Sequence, residues 1–241
     1  GFDVALWEKN DYMGGIMAAA GAPRFKKDVK DQVEYLIRQV YKNKIDVCLG
    51  KTATLEDVKE YNPDFVVVAT GANPVVIPVP GYEKPNVSTA VPVLLKQRAV
   101  GQRVVVVGGG EVGCELSTEL YMQGKDVTMV EILPEILLTT DHFVANDQNI
   151  RYLVEHSGVN IMTGTKLTEV LDDGVIMEIG GEKKKIGCDS VVFAAGFRPD
   201  HSLYRAIKDA GFEVVQIGDN IKPGKVIDAI HQGYHTIRVL E

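Results

Sequence analysis

The chain has 241 residues, 45% of them hydrophobic and 24% charged, with a formal net charge of −7. That length allows two modest domains, each with its own core; the composition excludes wholesale disorder, and the acidic balance excludes nucleic acid as an expected partner, because a polyanion would be repelled. Cys48, Cys114 and Cys188 stand too far apart for a disulfide framework, no run approaches the ~20 apolar residues of a membrane span, and no signal peptide opens the chain, so a cytoplasmic protein without a membrane partner is expected.

In chain order, residues 3–8 (DVALWE) read as a strand ending on Glu8, and Gly14, Gly15 and Gly21 then punctuate an irregular stretch to Pro23. Val29, Val33, Leu36, Ile37 and Val40 recur at three- and four-residue steps opposite Lys27, Asp28, Lys30, Asp31 and Arg38, which is the pattern of an amphipathic helix. Residues 45–49 resume as strand. Residues 65–69 form a continuous apolar run closed by Thr70 and Gly71, as in a strand buried on both faces of a parallel sheet. Pro74, Pro78, Pro80 and Pro85 make the next segment extended, a place for the chain to cross between domains. Strand 103–107 (RVVVV), helix 111–123 and strand 126–131 then make a βαβ unit. A helix over 147–156 and a strand over 159–162 follow. Residues 166–195 alternate polar and apolar around turns at 172–174 and 180–181, an antiparallel meander in which Lys183 to Lys185 form a solvated hairpin strand. A strand over 213–217 and a helix over 225–240 close the chain.

The strongest chemical signal is VVVVGGGEVGCE, where Gly108, Gly110 and Gly113 fit G-x-G-x-x-G directly after a strand and before a helix. The first glycine permits the tight turn, the second admits a dinucleotide pyrophosphate to the backbone, and the third lets helix and strand pack closely. The phosphates would rest on the positive end of the helix. Glu131 closes the next strand 18 residues after Gly113, where a carboxylate accepts from both ribose hydroxyls. NADH is favoured over NADPH, since a 2′-phosphate would face that carboxylate and Ile132, Leu133 and Pro134 offer no cation.

Two further features repeat this pattern. Glu8 ends its strand as Glu131 does, and VVVATGANP (66–74) matches VVFAAGFRPD (191–200) in a strand, small residues, a glycine (Gly71 or Gly196) and a proline three residues on. Such a repeat implies two related nucleotide-binding domains, the first lacking its opening strand and glycine loop. Gly218 and Asp219 in IGDN follow a strand, where the carboxylate would accept from a sugar-like hydroxyl, although glycine and aspartate together also make an ordinary turn.

Together these residues resemble the pyridine nucleotide-linked flavoproteins with paired FAD and NAD domains. Within that group the chain is similar to the C-terminal part of multidomain old-yellow-enzyme relatives, the 2,4-dienoyl-CoA reductase, enoate reductase and trimethylamine dehydrogenase group. The likeness runs through WEKNDYMGG, PRFKKD (23–28), DFVVVATGANP, VVVVGGGEVGCE, VTMVE, VVFAAGFRPD, and IGDN followed by DAIHQGY, essentially the whole chain. It implies an α/β fold of two Rossmann-like domains in three layers with a meander: a discontinuous FAD or ADP domain, 1–98 with 197–241, and an inserted NAD(H) domain, 99–196. By the same resemblance a Glu8-type carboxylate holds the adenosine ribose of FAD, an Asp219-type carboxylate holds the ribityl chain, and Glu115 lies near the nicotinamide, its other reading being a carboxylate satisfying the helix dipole. The implied cofactor-binding set also takes in Lys9, Gly15, Thr70, Gly71, Glu111, Val112, Gly196 and Gly218.

Hydride transfer from NADH to FAD is the implied reaction. It needs no side-chain acid or base, so no catalytic residue is nominated. Electrons would then pass to a barrel carrying FMN and a 4Fe-4S cluster, neither of which this chain contains, so it resembles a fragment and its organic substrate is not legible. A disulfide reductase would carry a reactive cysteine after Gly14 and Gly15, where Ile16, Met17 and three alanines stand instead. Cys114 reads as a small packing residue in the dinucleotide helix. His231 and His235 lie four apart without a third ligand, so no metal site is expected. A nucleotide-binding module without turnover is the alternative function.

Overall fold

The computed structural model describes residues 1–138 and 144–240. The chain divides into two compact units. One comprises Gly1–Gly21, Lys27–Asn73 and Phe197–Glu241; the other comprises Ala22–Lys26 and Pro74–Gly196.

The first unit opens with β1 (Ala5–Glu8), α1 (Gly15–Ala20), α2 (Lys27–Lys42), β2 (Asp46–Leu49), α3 (Leu55–Tyr61), β3 (Val66–Val68) and β4 (Ala72–Pro74). α1 occupies the stretch expected to be irregular, because the alanine-rich IMAAA favours helix while the flanking glycines answer to packing. A Cβ on Gly14 would stand 2.8 Å from Val33 Cγ1, and one on Gly21 2.8 Å from the Lys30 amide nitrogen, so α1 and α2 approach closely at both ends. α3 starts in a capping box: Thr54 Oγ1 accepts from the Asp57 amide, and the Asp57 carboxylate accepts from the Thr54 amide. β1 pairs with β2 in parallel.

The second unit follows with β5 (Val87–Thr89), α4 (Ala90–Leu94), β6 (Arg103–Val107), α5 (Glu111–Met122), β7 (Asp126–Val130), α6 (Val144–Glu155), β8 (Asn160–Met162), β9 (Thr165–Val170), β10 (Gly174–Ile179), β11 (Glu182–Gly187) and β12 (Ser190–Phe193). Five strands form one parallel sheet in the order β5-β12-β6-β7-β8. The two-residue strand period splits RVVVV between two cores. Val104 and Val106 pack with Ala90, Leu116, Leu120, Ile150 and Val154 of the helices, whereas Val105 and Val107 pack with Leu167, Val170, Val175 and Met177 of β9 and β10. Helices, parallel sheet and antiparallel sheet thus make three layers, and each buried valine contributes roughly 1.5–3 kcal/mol relative to exposure.

Two expectations need correction here. The meander is three strands, in the order β11-β10-β9, and stops at 187; β12 belongs to the parallel sheet, since its SVVF is buried at every position and reads as a central strand. Residues 74–98, placed with the first domain by sequence, belong to the second unit, because β5 is the parallel neighbour of β12 and α4 lies in the helical core.

The chain then returns to the first unit through β13 (Phe197–Pro199), α7 (Ser202–Asp209), β14 (Val214–Gln216), a 3-10 turn (Gly218–Asn220) and α8 (Val226–Arg238). β14 pairs in parallel with β3, forming a two-stranded sheet separate from β1 and β2. A small core of Val58, Val68 and Ile207, with Trp7, Leu55 and Val214 against it, holds this unit together. α8 has no buried residue.

Candidate dinucleotide sites

The glycine loop joins β6 to α5 at the C-terminal edge of the five-stranded sheet. Gly108 has φ +115°, and a Cβ there would lie 2.4 Å from the Ala194 carbonyl oxygen; a Cβ on Gly113 would lie 1.9 Å from the Gly108 carbonyl oxygen. Neither position admits a side chain. A Cβ on Gly110 would meet nothing within 4 Å, so the backbone is open at that glycine. Gly110 is also the N-cap of α5 and supplies no side-chain cap, which leaves the helix start with donors suited to an anion. Glu111 and Val112 form its first turn.

Glu131 turns back on this loop. Its Oε2 accepts from the Gly109 amide at 2.6 Å and its Oε1 from the Leu133 amide at 2.8 Å. A carboxylate has about four acceptor sites, so both oxygens keep capacity for ribose hydroxyls. Gly196, with φ +93° and open space around it, follows β12, the neighbour of β6. The structure therefore gathers Gly108, Gly110, Gly113, Glu131 and Gly196 on one sheet edge.

Glu115 lies one turn into α5, only 8% exposed, and pairs with Lys26. Burial pushes its carboxyl up from the ordinary value, and Lys26 opposes that shift. Glu119, one turn further and equally buried, accepts from the Arg24 amide at 3.0 Å and pairs with its guanidinium at 3.3 Å. For Glu119 burial also works upward, but Gln123 and Arg24 outweigh it and the carboxyl sits below its usual value. Two i, i+4 carboxylates on one helix face thus staple residues 22–26 to α5. Neither cation carries a sequence signal of its own within PRFKKD, because the partners lie about 90 residues away.

In the first unit, Glu8 Oε1 accepts from the Asn10 amide and from Asn10 Nδ2, both at 2.8 Å. This repeats the i+2 bond of Glu131 to Leu133. Lys9 follows on the exposed side, and Gly15 opens α1 with φ +50°. Thr70, Gly71, Gly218 and Asp219 meet at the C-terminal ends of β3 and β14, where Ile217 donates to the Val68 carbonyl. Gly71 and Gly218 both take positive φ, +72° and +63°, matching Gly196 in the other unit. Asp219 Oδ1 accepts from the Gly224 amide at 3.0 Å. Asn220 was not singled out. It is fully buried and donates to Thr70 Oγ1 and to the Asp200 carbonyl, with its own amide oxygen unpartnered.

Of the remaining candidates, Cys114 behaves as a packing group. Cys114 is fully buried, donates weakly to the Gly109 carbonyl, and has its thiol pushed up to about 12 by burial, so it is no nucleophile. Cys48 and Cys188 are also free thiols. His231 and His235 meet edge to face at 6.3 Å, and among the described residues no cluster of metal-ligating side chains occurs. No helix among the described residues is long and apolar enough to cross a membrane.

Comparison with known proteins agrees with the fold. The chain is 31% identical over 239 residues to cinnamate reductase of Clostridium sporogenes, covering 99% of this chain and 36% of that protein. It is 34% identical over 241 residues to NADH oxidase of Thermoanaerobacter brockii, covering 97% of this chain and 37% of that one. Among solved structures, 2-naphthoyl-CoA reductase in complex with 2-naphthoyl-CoA superposes with a TM-score of 0.89 at 30% identity, over 97% of this chain and 36% of its own. The chain therefore spans a little over a third of the length of these relatives. By name they are two reductases and an NADH oxidase, in keeping with the resemblance carried by the motifs. With residues 6–222 matching the model described as pyridine nucleotide-disulphide oxidoreductase, the chain belongs to that family.

Proposed function

We propose that this protein handles the dinucleotides of an NADH-dependent flavin oxidoreductase, its second unit holding NADH and its first unit holding FAD. The observation that carries this reading is the Glu131 carboxylate bonded to Gly109 of an open glycine loop, at the uncapped start of α5. The loop amides would receive the diphosphate, Gly110 would let it approach, and Glu131 would take the ribose hydroxyls and repel a 2′-phosphate. Lys26, by neutralising the buried Glu115, keeps the second turn of α5 from opposing that anion. In the first unit Glu8, Lys9, Gly15, Thr70, Gly71, Gly218 and Asp219 would face the flavin nucleotide. The open left-handed Gly71 fits close approach of a ligand to the backbone there. When bound, NADH supplies a hydride and the flavin accepts it; the protein contributes binding and orientation. Electrons would then reach an FMN and 4Fe-4S barrel that reduces an organic substrate, in keeping with the greater length of the relatives.

One observation favours a binding module without turnover. Glu131 takes an amide from a glycine loop, whereas the bonds given to Glu8 come from Asn10, two residues on. Purified protein with NADH and an artificial electron acceptor, with and without added FAD, separates the two. Flavin-dependent oxidation of NADH is expected; NADH binding with no oxidation at saturating FAD would leave only the module.

A further inference from the structure

Leu137 combines two properties that conflict. Its backbone takes φ +60°, a left-handed conformation unfavourable for a bulky residue, yet its side chain is buried. Such a conformation persists where surrounding contacts over-determine it. Here Ile136 and Leu137 both lie in the helical core with Leu116, Ile150 and Val154, and the Ile136 carbonyl accepts from the Arg151 guanidinium of α6 at 2.9 Å.

The conformation delivers one bond to the glycine loop. The Leu137 amide donates to the Gly109 carbonyl at 2.8 Å, and Cys114 Sγ donates weakly to the same oxygen at 3.5 Å. The Gly109 amide is taken by Glu131, and a Cβ on Gly109 would stand 3.0 Å from both Glu131 Cβ and Ile136 Cγ2. Residues 131–137 therefore form a strap around the middle glycine, holding its N–H from one end and its C=O from the other. In a trans peptide the carbonyl and the following N–H point in opposite directions. With the Gly109 carbonyl drawn toward Leu137 and Cys114, the Gly110 N–H is turned away from the core, and the space about Gly110 is open.

We propose that Leu137 is a positioning residue for the diphosphate of the dinucleotide: its amide fixes the Gly109–Gly110 peptide so that the Gly110 N–H donates to a phosphate oxygen. The inference rests on the reading of the second unit as the NADH holder. Glu131 does not depend on Leu137 for its own place, because its amide donates to the Met162 carbonyl at 2.9 Å and its carbonyl accepts from the Thr165 amide at 2.8 Å. Leu137 thus acts on the diphosphate and leaves the ribose contacts to Glu131.

NMR titration of the whole protein with ADP-ribose, and with adenosine, which lacks the diphosphate, tests this, with thermal melting alongside. L137G removes the buried anchor at a backbone angle open to glycine. It should weaken ADP-ribose about tenfold, the worth of a hydrogen bond to a charged group, and leave adenosine within about twofold. L137M keeps a buried side chain of similar volume and should restore ADP-ribose binding. Should L137G fail to fold, leucic acid in place of Leu137, which removes the amide proton alone, is read on the same scale. Unchanged ADP-ribose affinity, or equal losses for the two ligands, would overturn the inference alone. If the unsubstituted protein binds neither NADH nor ADP-ribose, the dinucleotide reading falls and takes the inference with it.

Discussion

The two units use the same strand-to-carboxylate device on very different foundations. In the second, β6 runs through the middle of five parallel strands with a core on each face, and Glu131 is bonded into the loop it serves. In the first, β1-β2 and β3-β14 are separate two-stranded sheets around one small core, and α8 buries none of its residues. Isolated strand pairs are marginal in water, because too few backbone groups and side chains share the entropy cost of ordering them. The Glu131 carboxylate thus stands on five paired strands and the Glu8 carboxylate on two, although each accepts two hydrogen bonds.

This contrast can be broken by substitution. Phe193→Ala, at a fully buried side chain of β12, should cost about 3–5 kcal/mol and lower the later of two thermal transitions while leaving the earlier one, from the first unit, in place. Calorimetric scanning that shows both moving together would mean a single cooperative body. Gly113→Ala should destabilise the second unit by about 3 kcal/mol, since its Cβ would press on backbone, whereas Gly110→Ala should melt like the parent yet bind NADH more weakly. Equal melting of the two variants would remove the packing role of the third glycine. Glu131→Ala should weaken NADH by roughly 1.5–3 kcal/mol, tenfold or more, and NADPH by less; titration calorimetry that finds equal losses would remove the preference for the unphosphorylated sugar.

The smallest effect lies in the first unit. Thr54→Ala should cost the about 1 kcal/mol typical of a lost threonine N-cap. Lys51 and Thr54 hold the Asp57 carboxyl at about 2, below its ordinary 3.8. Its contribution is therefore complete above pH 3.8 and lost as pH falls through about 2. An NMR titration of Thr54→Ala should show Asp57 moving back toward the ordinary value, and an unmoved titration would assign the shift to Lys51 and the residue 54 backbone amide.

Legibility followed distance along the chain. α2, β6, α5 and β7 were readable because their signals are local: a helical repeat, a valine run, a glycine spacing. α1, α3 and α7 span 6, 7 and 8 residues, too few for a period to show, although the Thr54 and Asp57 capping pair was a usable sign of α3. The conformations of Gly108, Gly113 and Glu131 follow from their motif. Lys26 against Glu115, and Asn220 against Thr70, do not.

By itself, then, the sequence determined that a glycine loop joins a buried strand to a helix and that an acidic side chain closes the following strand, since turn geometry and strand burial are settled within about 30 residues. Only the tertiary structure decided that residues 22–26 pack on α5, that 74–98 join the second unit, and that Asn220 lies beneath Thr70 across 150 residues of chain. Those pairings depend on which surfaces meet after folding, and a buried asparagine or lysine carries no local pattern that names its partner.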